Sequence, residues 1–258
     1  VVTVEVTSPY DYITVPFSYR TISGTNLNFS DDSAAQIVPP FPVLFAQTPY
    51  NSLYVSSNGN INFESLWAVS YNNYAIPYAS RTTLVAPFWD DLFSLTATAQ
   101  NVFVDVLGTE PNRELVLEWR DVKHYGCANT ETVKFQVVFF EGINDVLFNY
   151  ADTAFGGGCT SNDYGASATV GVQVSATAGR QFSFNTPSLS DNLALLWLLP
   201  VAATVSSSSL DFGIQLVGQS NYSPPVTLTN AGAGSFMIES ISITGPNITY
   251  CVACASGT

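Results

Sequence analysis

Charge is the scarcest commodity in this chain of 258 residues. Charged side chains make up 10% of it, with one histidine, one methionine, and only Lys123 and Lys134 as lysines. An ordinary soluble domain carries about 25% charged residues. Most enzyme mechanisms draw on His, Lys, Cys or carboxylates tuned near neutral pH, and that stock is nearly empty here. The composition points to surface, cohesion and durability rather than proton chemistry. The few charges are also lopsided, with a net charge of −13 and a pI near 4.1. Nucleic acid and anionic lipid surfaces need a basic patch, and none can be assembled.

Long hydrophobic runs are missing too. No stretch of about 18 apolar residues exists, so no membrane-spanning helix is expected. The longest candidate, Leu193-Ala-Leu-Leu-Trp-Leu-Leu199, is short and ends at Pro200. The chain opens at Val1 without a methionine or a signal peptide, which reads as a processed or trimmed start. Helical periodicity is almost absent.

What is present is alternation. Val2, Val4 and Val6; Val102, Val104 and Val106; Leu115, Leu117 and Trp119; Val146, Phe148 and Tyr150; and Val170, Val172 and Val174 all follow a period of two. Between such runs lie Gly, Pro, Asn and Asp clusters, the signature of strands. Ser57-Asn58-Gly59-Asn60 carries the Asn-Gly signal of a hairpin, and residues 108–113 and 141–145 join the next pairs. The expectation is an all-β protein: an antiparallel β-sandwich followed by a smaller immunoglobulin-like β-sandwich. Composition shifts near residue 200, so the divisions are an N-terminal extension at 1–29, the main sandwich at 30–203 and a small β domain at 204–258. That last part is short of strands for a complete immunoglobulin-like sandwich.

Six ordered stretches carry a family likeness. They are Tyr54-Val-Ser-Ser-Asn-Gly-Asn-Ile-Asn-Phe63, Leu84-Val-Ala-Pro-Phe-Trp-Asp-Asp-Leu92, Asn112-Arg-Glu-Leu-Val-Leu-Glu-Trp119, Lys134–Gly142, Asp145–Tyr150 and Ser167–Gln173. In this order they resemble the nidogen-like extracellular domain, especially its secreted bacterial relatives, over roughly residues 30 to 200. Leu210-Asp-Phe-Gly213 and Val226-Thr-Leu-Thr-Asn230 resemble immunoglobulin-like domains of the ASH/HYDIN kind. The resemblance implies extracellular matrix, adhesion or cell-surface architecture, without catalysis and without catalytic residues to carry over.

Several residues merit a functional reading beside a structural one. Asp90-Asp91 is the best candidate for calcium, which takes several oxygen ligands. Strand neighbours point to opposite faces, however, so a turn-capping pair is the commoner outcome. Cys127, Cys159, Cys251 and Cys254 fit disulfides in an oxidising compartment better than zinc, because no second CxxC or nearby histidine completes a metal site. His124 lies in no nucleophile motif and reads as a surface-loop residue. Trp67, Tyr71 and Tyr74 either pack as loop core or form a ledge for stacking on sugar rings. Asn28, Asn221 and Asn247 head N-glycosylation sequons. No cofactor other than calcium is expected.

The function expected is a secreted, non-enzymatic structural or adhesive surface protein. Val2, Val4 and Val6 form a spare alternating strand, and the last domain lacks strands. Together they predict a homo-oligomer built by strand exchange, which propagates as a filament. The alternative is a monomeric module of a larger cell-surface protein that binds glycans or matrix.

Overall fold

The computed structural model describes residues 10–65, 70–127 and 131–199, with 203–206, 216, 218–219, 227–230 and 232 beyond them. The chain divides into two compact units, Val1–Pro200 and Val201–Thr258. The donor-strand residues Val2, Val4 and Val6 lie outside the described residues, as do Trp67, Asn221, Asn247, Cys251 and Cys254.

Short alternating runs bounded by turn residues fold as antiparallel strands. In chain order these are β1 (Asp11–Thr14), β2 (Thr25–Asn26), β3 (Ala34–Ile37), β4 (Val43–Phe45), β5 (Thr48–Tyr50), β6 (Leu53–Ser56) and β7 (Ile61–Asn62). There follow β8 (Leu84–Trp89), β9 (Leu92–Phe93), β10 (Asn101–Leu107), β11 (Glu114–His124) and β12 (Val133–Phe140). The larger unit closes with β13 (Val146–Asp152), β14 (Thr169–Ser175), β15 (Ala178–Phe184) and β16 (Leu193–Leu198). An eight-stranded sheet runs β1-β16-β13-β12-β11-β10-β2, with β9 also on β11. A six-stranded sheet runs β15-β14-β8-β7-β6-β3. This is the expected all-β antiparallel sandwich.

The two sheets face each other across an aromatic core. Trp119 stacks on Phe135 at 5.0 Å, Phe135 on Phe88 of the opposite sheet at 5.4 Å, and Phe88 meets Phe155 edge-on at 5.9 Å. Trp119 and Tyr150 are fully buried, and each finds a polar partner across the core. The indole Nε1 donates to Ser56 O at 2.9 Å and the Tyr150 hydroxyl to Pro87 O at 2.7 Å. Each fully buried aromatic contributes roughly 1.5–3 kcal/mol by leaving water.

The outer faces are covered as well. After β1, residues 15–24 cross the larger sheet strand by strand. Val15 N donates to Ala194 O on β16, Asn149 Nδ2 on β13 to Ser18 O, and Arg120 Nη2 on β11 to Ile22 O. Gly24 N then reaches Asp105 Oδ2 on β10. On β12, Gln136 is fully buried and grips both backbone groups of Arg20, at 3.0 Å from N–H to Oε1 and 2.6 Å from Nε2 to O. Its side-chain amide replaces a neighbouring strand, satisfying backbone groups that burial would otherwise strand. Ile22 packs with Phe103, Val116, Val138, Leu147 and Ala194 beneath this strap. Residues 10–29, expected within an N-terminal extension, are therefore built into the larger unit.

Residues 70–82 cover the smaller sheet by the same device. Gln173 on β14 accepts from Tyr78 N and donates back to Tyr78 O, at 2.6 and 3.0 Å. Ile76 packs there with Leu84, Ala86 and Trp89.

The scarce cations serve this architecture. Arg20 clasps Glu114 through two bonds of 2.9 and 2.8 Å, Arg120 clasps Glu118 through two of 3.1 and 2.8 Å, and Arg113 makes a two-pronged pair with Glu141. Lys134 stands 3.8 Å from both Glu118 and Asp121, and Arg180 stands 3.3 Å from Asp11.

In the second unit, β17 (Ala203–Val205) pairs antiparallel with β18 (Leu228–Asn230). The remaining strands expected there lie outside the described residues.

Candidate functional site

One end of the sandwich gathers the polar residues that the sequence made conspicuous. The corner after β8 is set by the Asn58-Gly59 turn. Asn58 O accepts from Asp90 N at 3.3 Å and Asn58 Oδ1 from Leu92 N at 3.0 Å. Gly59 has φ +67 and lies so close to Phe88 that a Cβ would fall 1.8 Å from its carbonyl oxygen. The hairpin is as expected, yet its turn is buried, and it orients the two aspartates.

Asp90 and Asp91 diverge. Asp90, 4% exposed, accepts from the Ser167 hydroxyl at 2.5 Å and faces His124 Nε2 at 3.5 Å. Asp91 turns toward Asp31 and Asp32, and ligand oxygens of these three carboxylates all lie within 4.8 Å of one another. Among the described residues Asp31, Asp32 and Asp91 form a carboxylate group that could hold a hard divalent cation, and Asp90 stands apart from it on Ser167 and His124. Partial burial pushes the Asp91 carboxyl above the ordinary carboxylate range. His124 opposes that shift, while Asp31, Asp32 and Asp90 add to it. Asp31 is raised by burial and then by Asp32.

His124 is not a surface-loop residue. The register of β11 shifts between Trp119 and Val122, with Asp121 at φ 51, and a bulge of this kind re-aims a strand. Beyond it, Lys123 and His124 pair with β9. The imidazole, 12% exposed, sits edge-on to Phe155 at 5.4 Å and accepts from Gly126 N through Nδ1 at 3.2 Å. Ser167, Asp90 and His124 therefore stand in the order Ser–Asp–His. The hydroxyl donates to the carboxylate, and among the described residues the imidazole makes no hydrogen bond to the serine, so the arrangement lacks the base–nucleophile contact of a triad.

Around this corner lies an open cleft of about 560 Å³. Asp90, Asp91, His124 and Asn162 line it together with Tyr71 and Asn185. Asn73 Nδ2, also at the cleft, donates to Asn185 Oδ1 at 2.8 Å and Ser167 O at 2.7 Å. A disulfide between Cys127 and Cys159, with Cα atoms 5.7 Å apart, joins the β11–β12 connection to the 3₁₀ segment Gly157–Gly165. Asn162 Nδ2 contacts Cys127 Sγ at 3.7 Å, so the bridge backs the cleft directly.

Tyr71 and Tyr74 are both partly exposed, at 49% and 41%. Tyr74 stacks on Tyr78 at 4.2 Å and both lean on Trp89, whereas Tyr71 stands at the cleft. Asn28 is exposed, and its side-chain oxygen accepts from Ala97 N at 2.6 Å. Asn73, Asn162 and Asn185 also line the cleft. Isolated asparagines in an Asn-rich chain give no local signal; only the fold brings them together.

The family model described as NIDO related matches residues 9–199. The chain belongs to that family. Among curated proteins it is similar to alpha-tectorin of Gallus gallus, 26% identical over 168 residues, which is 57% of this chain and 8% of that protein. Alpha-tectorins of Homo sapiens and Mus musculus match over the same share at 25% and 24% identity. The chain thus spans a small fraction of these relatives. No solved structure matches it. Membership of the NIDO-related family and the disulfide place the protein outside the cell.

Proposed function

We propose that this NIDO-related chain is a non-enzymatic structural and adhesive component of an extracellular surface, and that it assembles into filaments by strand exchange. Its setting on this reading is a large secreted bacterial surface protein. Residues 204–258 are an immunoglobulin-like unit of the ASH/HYDIN kind that accepts the strand, and Asn28 carries a glycan.

One observation carries the reading. β1 is the last strand at its edge of the larger sheet, and the alternating segment Val1–Val6 lies just before it in sequence. Tyr10 separates the two and is a firm anchor. It is 1% exposed, stacks on Phe45 at 5.1 Å and donates from its hydroxyl to Asn144 O at 2.6 Å. A strand extended beyond such an anchor can pair with another subunit without loosening its own.

Deleting residues 1–8 leaves Tyr10 in place and tests this cleanly. Negative-stain electron microscopy and light scattering should show loss of polymer while the melting temperature stays within about 2 °C, because the anchor at Tyr10 and the β1–β16 pairing are retained. Polymers that persist unchanged would refute strand exchange through this segment.

A further inference from the structure

We propose that the cleft between Asp91, Tyr71 and the Asn73–Asn185 pair binds a neutral polyhydroxylated ligand, a glycan unit displayed on an apposed surface. This goes beyond assembly and needs no strand exchange.

Three observations carry it. First, hydrogen-bonding capacity is left over where it converges. With Asn73 Nδ2 and Asn185 Oδ1 engaged with each other, Asn73 Oδ1 remains an acceptor and Asn185 Nδ2 a donor. Among the described residues neither atom has a hydrogen-bond partner, nor do the Asp91 carboxylate and the Tyr71 hydroxyl. The locked asparagine pair offers an acceptor and a donor together, which matches vicinal hydroxyls, each of which both donates and accepts, and Asp91 on the same cleft lining adds a further acceptor.

Second, the walls are fixed before any ligand arrives. The Asn73 amide is locked at two points, Ser167 is held by Asp90, and the Cys127–Cys159 disulfide fastens the Asn162 side. Side chains already immobilised lose little entropy on binding. The cleft volume of about 560 Å³ falls within the range of small-ligand sites.

Third, the chemistry of the lining narrows the ligand class. Most of the cleft-lining side chains are amides, carboxylates or hydroxyls, groups that pair with a polar ligand. Asp90 and Asp91, with Asp31 and Asp32 behind, make a negative field that repels phosphate, sulfate and uronic or sialic acids. Tyr71, half-exposed at the cleft, offers a ring face to the C–H side of a sugar. A lone amine would suit the carboxylates but leave the asparagine pair without a partner.

The test is a glycan array probed with the full chain, followed by calorimetry on the best neutral hit. Asp91→Ala and Tyr71→Ala should each weaken binding about ten-fold or more. Asn185→Gly, which keeps the positive φ of 46 while removing the amide, should do the same. Tyr125→Ala, an exposed aromatic outside the cleft lining, should leave affinity unchanged. Melting curves for each variant separate lost binding from lost folding. Absence of neutral glycan binding by the intact chain, equal binding of sulfated or sialylated glycans, or cleft variants that bind normally while folded would overturn the proposal. Filament formation has its own readout, so either idea can fail alone.

Discussion

Asp90 and Asp91 are adjacent in sequence and opposite in circumstance. Asp90 is tied to a serine and a histidine, while Asp91 faces two further carboxylates that raise its affinity for a proton. Asp31, Asp145 and Asp152 are raised as well, each chiefly by burial. For such groups the folded state binds protons more tightly than the unfolded state. Their stabilisation is complete below the ordinary carboxylate pKa and is lost as pH rises through the raised values. Melting temperature should therefore rise as pH falls from neutral toward the ordinary carboxylate pKa. Asp91→Asn should stabilise the protein at neutral pH and flatten that slope. Thermal unfolding across the pH series checks both, and a variant with the wild-type slope would contradict the reading. Glu141 acts in the opposite sense. Arg113 holds it below the usual range, so its contribution vanishes on further acidification and shapes the acid limb.

At the scale of elements, the distinctive feature is a sandwich wrapped on both sides by irregular chain. Gln136 and Gln173 each hold the N–H and C=O of a single residue in the covering segment. Gln136→Ala should cost about 1–3 kcal/mol, because it removes two hydrogen bonds to partly buried backbone groups of the strap. Urea denaturation measures the loss, and amide exchange should rise across residues 15–24 while the β11–β12 ladder stays protected. The wrapping also explains what was legible in the sequence. Alternation in Leu115, Leu117 and Trp119 marked the inner face, and Asn58-Gly59 marked its turn. Gln136, between Phe135 and Val137, looks like an ordinary solvent-facing position. Its burial depends on Arg20, more than a hundred residues away, and no local pattern encodes that. His124 was hidden for a related reason: the bulge that turns it inward leaves no mark in the residue pattern. The opposed faces of Asp90 and Asp91 could be anticipated from strand geometry, but the company of Asp31 and Asp32 could not.

For the molecule as a whole, the shortage of charge becomes a question of placement. Arg20, Arg113 and Arg120 make two-pronged contacts with glutamates of the larger sheet or its edge turn, leaving the cleft end acidic. The disulfide is the other long-range tie at that end. Replacing Cys127 and Cys159, which close a loop of 32 residues, together by serine should cost about 4 kcal/mol by chain-entropy reasoning. Urea midpoints with and without reductant would check this: reductant should shift the wild type toward the variant and leave the variant unmoved. One further consequence concerns time. Among the described residues β1 pairs with β16 alone, so Asp11–Thr14 meets Leu195–Leu198 only after the other described strands of the larger unit have been synthesised. A nascent chain would carry an unsatisfied leading segment almost to the end of this unit. Non-local pairing of this kind folds slowly, which suits a polypeptide that must cross a membrane before it hardens.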